Sequence, residues 1–392
     1  MQRCSNAVGG LSTGCYARGE VNVANLYIHA PFCARRCCYC DFAVEVERSP
    51  PTARWLAAVG RELDTIRASG HPALAAAYDT VYVGGGTPSL LGPHAMRGLR
   101  AAIGESPMGG ADLEWTAEAN PESLSAETAS EWAAAGVNRI SLGVQSFEPD
   151  ALAWMGRLHS PEDACAAVER ARAAGVSNLS VDLIFGLPDG VRRRWSDEVG
   201  RVLELDVPHI SLYGLTAEAG TPLGKWVKSG RARMPTGSRY REEYLLAAEA
   251  FVAAGYHHYE VSNFARPDFE SRHNRACWRG APYLGLGNGA HSYHDGRRWW
   301  NVSDWAAYAA QVEERSRAVA GEEVPNAAQR RLERLWLGLR TAEGIATDGL
   351  GPAAEAAFER WTAAGWAERS ASRVRLTAPG WLILDELVLE LA

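Results

Sequence analysis

No stretch of this 392-residue sequence approaches the roughly 20 consecutive apolar residues that cross a bilayer. Its N-terminus also lacks the apolar centre of a secretory signal. A soluble, cytoplasmic chain that is not an integral membrane protein is therefore expected. Basic residues show no surplus, with 40 Lys and Arg against 47 Asp and Glu and a formal charge of -7. A nucleic-acid footprint requires clustered excess cation, so no nucleic-acid partner is expected, and runs such as Arg192-Arg193-Arg194 read as solvated helix ends. Cysteines are sparse at 8. Outside one tight group they are scattered at Cys4, Cys15, Cys165 and Cys277, which excludes the disulfide framework of a small secreted domain and implies a reducing compartment.

The tight group lies in residues 27–42, YIHAPFCARRCCYCDF, where Cys33, Cys37 and Cys40 form a C-x3-C-x2-C array. This spacing lets three thiolates converge on one small inorganic core from a short loop. A cube of four irons normally takes four thiolates, so three leave one iron open to a ligand that is not protein. Zinc is the alternative, with Cys38 as the fourth ligand on paper. However, Cys38 is adjacent to Cys37 and does not readily turn into the same tetrahedron, and no second C-x2-C pair follows downstream.

Residues 1–22 are rich in Gly, Ser, Asn and Thr without periodicity and read as a disordered extension. Beyond them a strand at 26–28 leads into the cysteine loop, and helical periodicity runs through 52–69. A β-branched strand at 79–83 ends in Gly84-Gly85-Gly86-Thr87-Pro88, where glycines permit a close backbone approach. Strands at 113–118, 139–144, 178–184 and 209–213 then alternate with helices at 125–135, 161–174 and 191–204. Six alternations predict an α/β fold with a parallel sheet and outer helices. Chemistry in such barrels gathers at the C-terminal strand ends, and Glu118, Gln145 and Asp182 all fall there, beside Gly85 and Gly86. The alternation stops beyond Thr216. A helix at 240–254 follows, helices resume from 304, and a basic hairpin around Val374-Arg375-Leu376 predicts a small winged-helix-like domain.

The three-cysteine loop followed by GGGTP resembles the radical S-adenosylmethionine (SAM) superfamily. That resemblance implies a partial (β/α)6 barrel and a [4Fe-4S] cluster on Cys33, Cys37 and Cys40. It also implies SAM bound to the open iron through its amino and carboxylate groups, and an electron donor that enables cleavage to a 5'-deoxyadenosyl radical. Tyr39 would pack against adenine. Over most of its length the chain is similar to the oxygen-independent coproporphyrinogen III oxidase family. Tyr27, Gly85, Gly86, Thr87, Glu118, Gln145, Arg157 and Asp182 match positions that contact SAM in that family, some of them a second SAM. No catalytic residue is assigned. Members commonly begin just before the LYIH strand, which implies a start near Val21 or Val23. The division expected is an extension over 1–22, a radical SAM core over 23–225, a connecting and heme-binding region over 226–303, and a C-terminal helical domain over 304–392.

Two places decide the branch. The oxidases carry a further cysteine two positions after the last cluster cysteine, where this chain has Phe42, and the CDF ending resembles heme chaperones of the HemW type. Those chaperones carry an HNxxYW motif associated with heme, and here the stretch is His273-Asn274-Arg275-Ala276-Cys277-Trp278, with Cys277 in place of the tyrosine. Imidazole and thiolate both ligate heme iron, and residues four apart share a helical face. His273 and Cys277 are thus the heme-ligand candidates, with His291, Trp299 and Trp300 as candidate pocket walls. The resemblance implies a chaperone that binds heme and passes it to an acceptor protein, soluble or membrane-associated. A coproporphyrinogen III dehydrogenase and a radical SAM methyltransferase remain the alternatives.

Overall fold

The computed structural model describes residues 22–391, so the predicted extension, with Cys4 and Cys15, lies outside the described residues except for Asn22. Six parallel strands form the centre: β1 (Asn25–Ala30), β2 (Thr80–Gly85), β3 (Glu114–Ala119), β4 (Arg139–Gln145), β5 (Asn178–Phe185) and β6 (His209–Gly214). They lie side by side in chain order, as consecutive strand-helix units require when each crossover returns to the neighbouring position. Their residues are nearly all buried, because a parallel sheet has helices on one face and, once curled, its own interior on the other.

The covering helices are α1 (Thr52–Ser69), α2 (Ala95–Ile103), α3 (Ala126–Ala135), α4 (Pro149–Met155), α5 (Pro161–Ala173) and α6 (Trp195–Glu204). Then follow α7 (Pro222–Lys228) and α8 (Gly237–Ala253). Trp55, Trp115 and Trp132 are fully buried between helices and sheet. Local chemistry sets the starts: Ser125 caps α3 by accepting from Thr128 N, and Ser160 and Asp163 cap α5 reciprocally.

The region after α8 adds to the same sheet. Strands β7 (His257–Glu260) and β8 (Asn263–Ala265) extend it antiparallel beyond β6, while helix α9 (Arg272–Trp278) leads to β9 (Tyr283–Leu286), parallel to β1. Strands β10 (His291–His294), β11 (Arg297–Asn301) and β12 (Val319–Glu323) then run antiparallel outward. The sheet has 12 strands in the order β12-β11-β10-β9-β1-β2-β3-β4-β5-β6-β8-β7, an open arc. Residues 226–303 therefore extend the sheet on both sides, and β12 beyond them forms one edge. Helix α10 (Trp305–Arg315) also packs into the first core through Trp305, Tyr308 and Val312.

A second core begins with α11 (Ala327–Leu339) and includes α12 (Pro352–Ala363), α13 (Ala378–Trp381), α14 (Leu384–Leu389) and the three-stranded sheet of β13 (Ile345–Ala346), β14 (Ala367–Arg369) and β15 (Arg373–Leu376). This helix and hairpin plan is winged-helix-like. It is fastened to the barrel by Arg340, whose guanidinium donates to the buried Glu260 at 3.0 Å, and by Trp381, whose ring centre lies 4.3 Å from that of His258 while its indole N–H donates within the second core to Leu339 O at 2.8 Å. Among the described residues no helix is long and apolar enough to cross a membrane.

Candidate functional site

A cavity of about 420 Å³ opens at the C-terminal ends of the parallel strands, where all three loop cysteines meet the strand-end polar residues. The loop is shaped from both sides. Residues 32–33 pair with 45–46 in a short parallel ladder that closes it into a ring. Behind it, Gly86 N donates to Ala30 O and Thr87 N to Phe32 O, both at 2.8 Å. A Cβ at Gly86 would come within 2.8 Å of Ala30 O, Phe32 O and Pro31 C, and one at Gly85, where φ is +109°, would strike the His29 ring. The glycines thus let the end of β2 press against the backbone that carries Cys33, in addition to facing the cavity. Gly86→Ala is expected to displace the loop and lower the iron content of reconstituted protein, measured against total protein.

Cys33, Cys37 and Cys40 line the cavity, and Cys38 does not. The Cys38 thiol is buried and donates to Trp154 O at 3.6 Å, while its N–H reaches Met155 O at 3.3 Å. Among the described residues no three His, Cys, Asp or Glu side chains gather tightly enough to hold a single metal ion. Three thiols around one cavity, with Cys38 turned to Trp154 O, supply the ligand set of an iron-sulfur cube that keeps one iron open and lack the fourth cysteine of a structural zinc site. Thr87 Oγ1 donates to Cys33 Sγ at 3.4 Å and Arg157 Nη1 to Cys37 Sγ at 3.8 Å, contacts of the kind that tune a cluster's potential. Burial pushes the Cys33 thiol up to about 11 and raises that of Cys40 as well.

Arg157, on the link between α4 and α5, is held in place by Asn120 Oδ1 at 2.7 Å and Gly143 O at 2.6 Å. Its Nε has no partner, nor does the buried Oε1 of Gln145, whose backbone lies at φ 68° at the tip of β4. Two orphaned polar atoms and a strained non-glycine residue on one cavity wall fit a polar ligand such as SAM. Deeper in the cavity, Glu118 accepts from Tyr82 OH at 2.7 Å and from Gly85 N at 3.0 Å. Burial pushes its carboxyl up to about 7, with the Asp182 charge adding to the rise. Asp182, accepting from Ser141 at 3.2 Å, is raised by burial too. Tyr39 and Thr87 line the cavity. Tyr27 does not: its hydroxyl shares a hydrogen bond with His29 Nδ1 at 3.0 Å and its ring stacks on Tyr82 at 6.1 Å. Sequence reasoning missed Asn120, which joins Thr87 to Arg157 through bonds of 3.2 and 2.7 Å. Its position just past the end of β3 was the available signal.

The heme-ligand candidates lie elsewhere. Helix α9 closes the opposite end of the barrel, with its first two N–H groups, on Arg272 and His273, donating to Glu114 at the start of β3, each at 3.0 Å. His273 Nδ1 and Thr80 Oγ1 at the start of β2 share a hydrogen bond of 2.8 Å. The ring is 6% exposed, and burial, aided by the Arg139 charge, lowers its pKa to about 4, so the imidazole is neutral. Burial likewise pushes the Cys277 thiol up to about 12. The structure brings neither residue to the cluster cavity. His291 stacks on Trp300 at 5.7 Å on the antiparallel wing, beside the buried Trp299.

Residues 27–195 match the family model of the Radical SAM superfamily. The chain is 35% identical over 92% of its length to the heme chaperone HemW of Bacillus subtilis, of which it covers 97%. It is 37% identical over 93% of its length to the heme chaperone HemW of Mycobacterium tuberculosis, of which it covers 93%. Among solved structures, the radical SAM coproporphyrinogen III oxidase HemN of Escherichia coli superimposes with a TM-score of 0.81 at 20% identity, over 96% of this chain and 91% of that one.

Proposed function

Since this chain belongs to the HemW heme chaperone family of radical SAM proteins, we propose that it binds heme, holds a [4Fe-4S] cluster with SAM on its open iron, and hands the heme to an acceptor protein in the cytoplasm or at a membrane. Cys33, Cys37 and Cys40 would hold the cluster, and Thr87 and Arg157 would steady its sulfurs. Gly85, Gly86, Glu118, Gln145 and Asp182 would receive the polar parts of SAM, Tyr39 would face adenine, and Tyr27 would support the site from behind through Tyr82. When bound and reduced by an electron donor, such a cluster supplies one-electron cleavage of the SAM sulfonium. Ligation of heme iron by His273 or Cys277 would require α9 to move, because Thr80 and Glu114 hold it against the barrel.

The observation that carries the chaperone reading over an oxidase is Phe42, which stands 61% exposed on the cavity wall where the oxidases have a further cysteine. An exposed phenyl ring offers an apolar surface to a flat ligand and no thiol chemistry. The test is anaerobic purification followed by heme titration and a coproporphyrinogen III turnover assay with SAM and a strong reductant. Heme binding without turnover is expected, and measurable conversion of coproporphyrinogen III would overturn the reading.

A further inference from the structure

Between the base of the barrel and the C-terminal domain lies a second cavity of about 1050 Å³, larger than the cluster cavity. Its barrel wall includes Tyr259 of β7 and the outer face of α9, with Arg275, Trp278 and Arg279. Its far wall is α11 with Arg331, Arg334 and Leu335, closed by Ile345 and the β15 arginines Arg373 and Arg375. The lining therefore combines an indole and aliphatic surface with six arginines, against the three carboxylates of Glu270, Glu343 and Asp348.

Most of this positive charge is already engaged. Arg275 and Arg279 share Glu343, Arg275 also pairs with Glu270, Arg375 pairs with Glu368, and Arg373 donates to the carbonyls of Glu343 and Gly344 at 2.8 Å. Arg331 and Arg334 differ. They are exposed, stand three residues apart on one side of α11, and make no ion pair among the described residues, Arg331 donating only to the carbonyl of Leu391 at 3.5 Å. A second observation comes from Trp278, whose ring is held under Arg340 at 4.2 Å while its indole N–H is buried without a partner. A buried donor left unpaired is costly unless a ligand or water meets it.

We propose that this groove receives heme, its ring against Trp278 and Leu335 and its two propionates on Arg331 and Arg334. The proposal rests on the heme reading above and names where it operates. Two guanidinia one helical turn apart, neither neutralised by a carboxylate of the chain, match two carboxylates on one edge of a flat apolar molecule, and guanidinium is the cation best shaped to bind carboxylate. The site uses the outward face of α9 and leaves His273 and Cys277 in their buried places.

The test compares heme with its dimethyl ester, in which both carboxylates are blocked, on the reconstituted full-length protein. It also compares the unmodified protein with the exposed-site double variant Arg331→Gln/Arg334→Gln. Losing charge-assisted bonds to both carboxylates is expected to weaken heme binding about tenfold or more. The dimethyl ester should bind the unmodified protein comparably weakly, and iron content should be unchanged by the substitutions. Heme affinity unaltered in the double variant, or an ester bound as tightly as the free acid, would overturn the groove and leave the chaperone reading intact. No heme binding by the unmodified protein would overturn both. Should the double variant fold poorly, the ester comparison decides alone, since it changes only the ligand.

Discussion

Alanine at Cys33, Cys37 or Cys40 is expected to abolish the iron-sulfur centre, reducing anaerobically reconstituted protein from about four irons per chain to near none. Alanine at Cys38 is expected to leave the iron in place. The contrast follows from direction rather than spacing, since the first three thiols face the cavity with Thr87 and Arg157 donating to two of them, whereas Cys38 is turned to Trp154 O. Its loss removes a small buried side chain and costs at most a modest amount of stability. Iron and sulfide analysis with the visible absorption spectrum reads the outcome. Loss of iron in the Cys38 variant would refute the ligand assignment, and about one zinc per chain without iron would refute the cofactor.

Stability should fall as pH rises from about 4.5 through about 7, and Glu118→Gln should remove much of that slope. Burial among Tyr82, Gly85 and Asp182 pushes the Glu118 carboxyl from 4.5 up to about 7. Between those values the folded chain keeps a proton that the unfolded chain has released. The contribution is therefore complete below the unfolded pKa and disappears as pH passes the folded one, a change of about 3 kcal/mol for a shift of this size. Asp182, raised in the same direction, adds to the slope that remains in the variant. Urea unfolding of both proteins at several pH values measures the difference. Parallel profiles would show that Glu118 is ionised in the folded protein throughout.

Much of this architecture was legible because it is periodic or local. Alternating strand and helix patterns mark six parallel units, and the ends of those units place Glu118, Gln145 and Asp182 around one opening beside Gly85 and Gly86. The cysteine loop could be read because three ligands within eight residues must share a turn. Asn120 escaped notice, since its importance lies in reaching Thr87 and Arg157, 33 and 37 residues away.

By itself, then, the sequence determined the barrel, the cysteine loop and the ring of polar strand ends, all of which follow from short-range spacing and the order of elements. Tertiary structure decided which way shared features face. It turned Cys38 away from the cavity into a buried bond with Trp154 O and used the glycines of β2 to seat the loop backbone. It also joined residues 226–303 to the barrel's own sheet. For α9, the helical spacing was readable but its orientation was not. Thr80 and Glu114, some 160 to 190 residues earlier, draw His273 inward, while Trp278 and Arg275 line the groove beneath the C-terminal domain. The physical reason is that a helix's periodicity defines its faces, whereas the hydrogen-bond partners that claim each face come from distant parts of the chain and meet it only after folding.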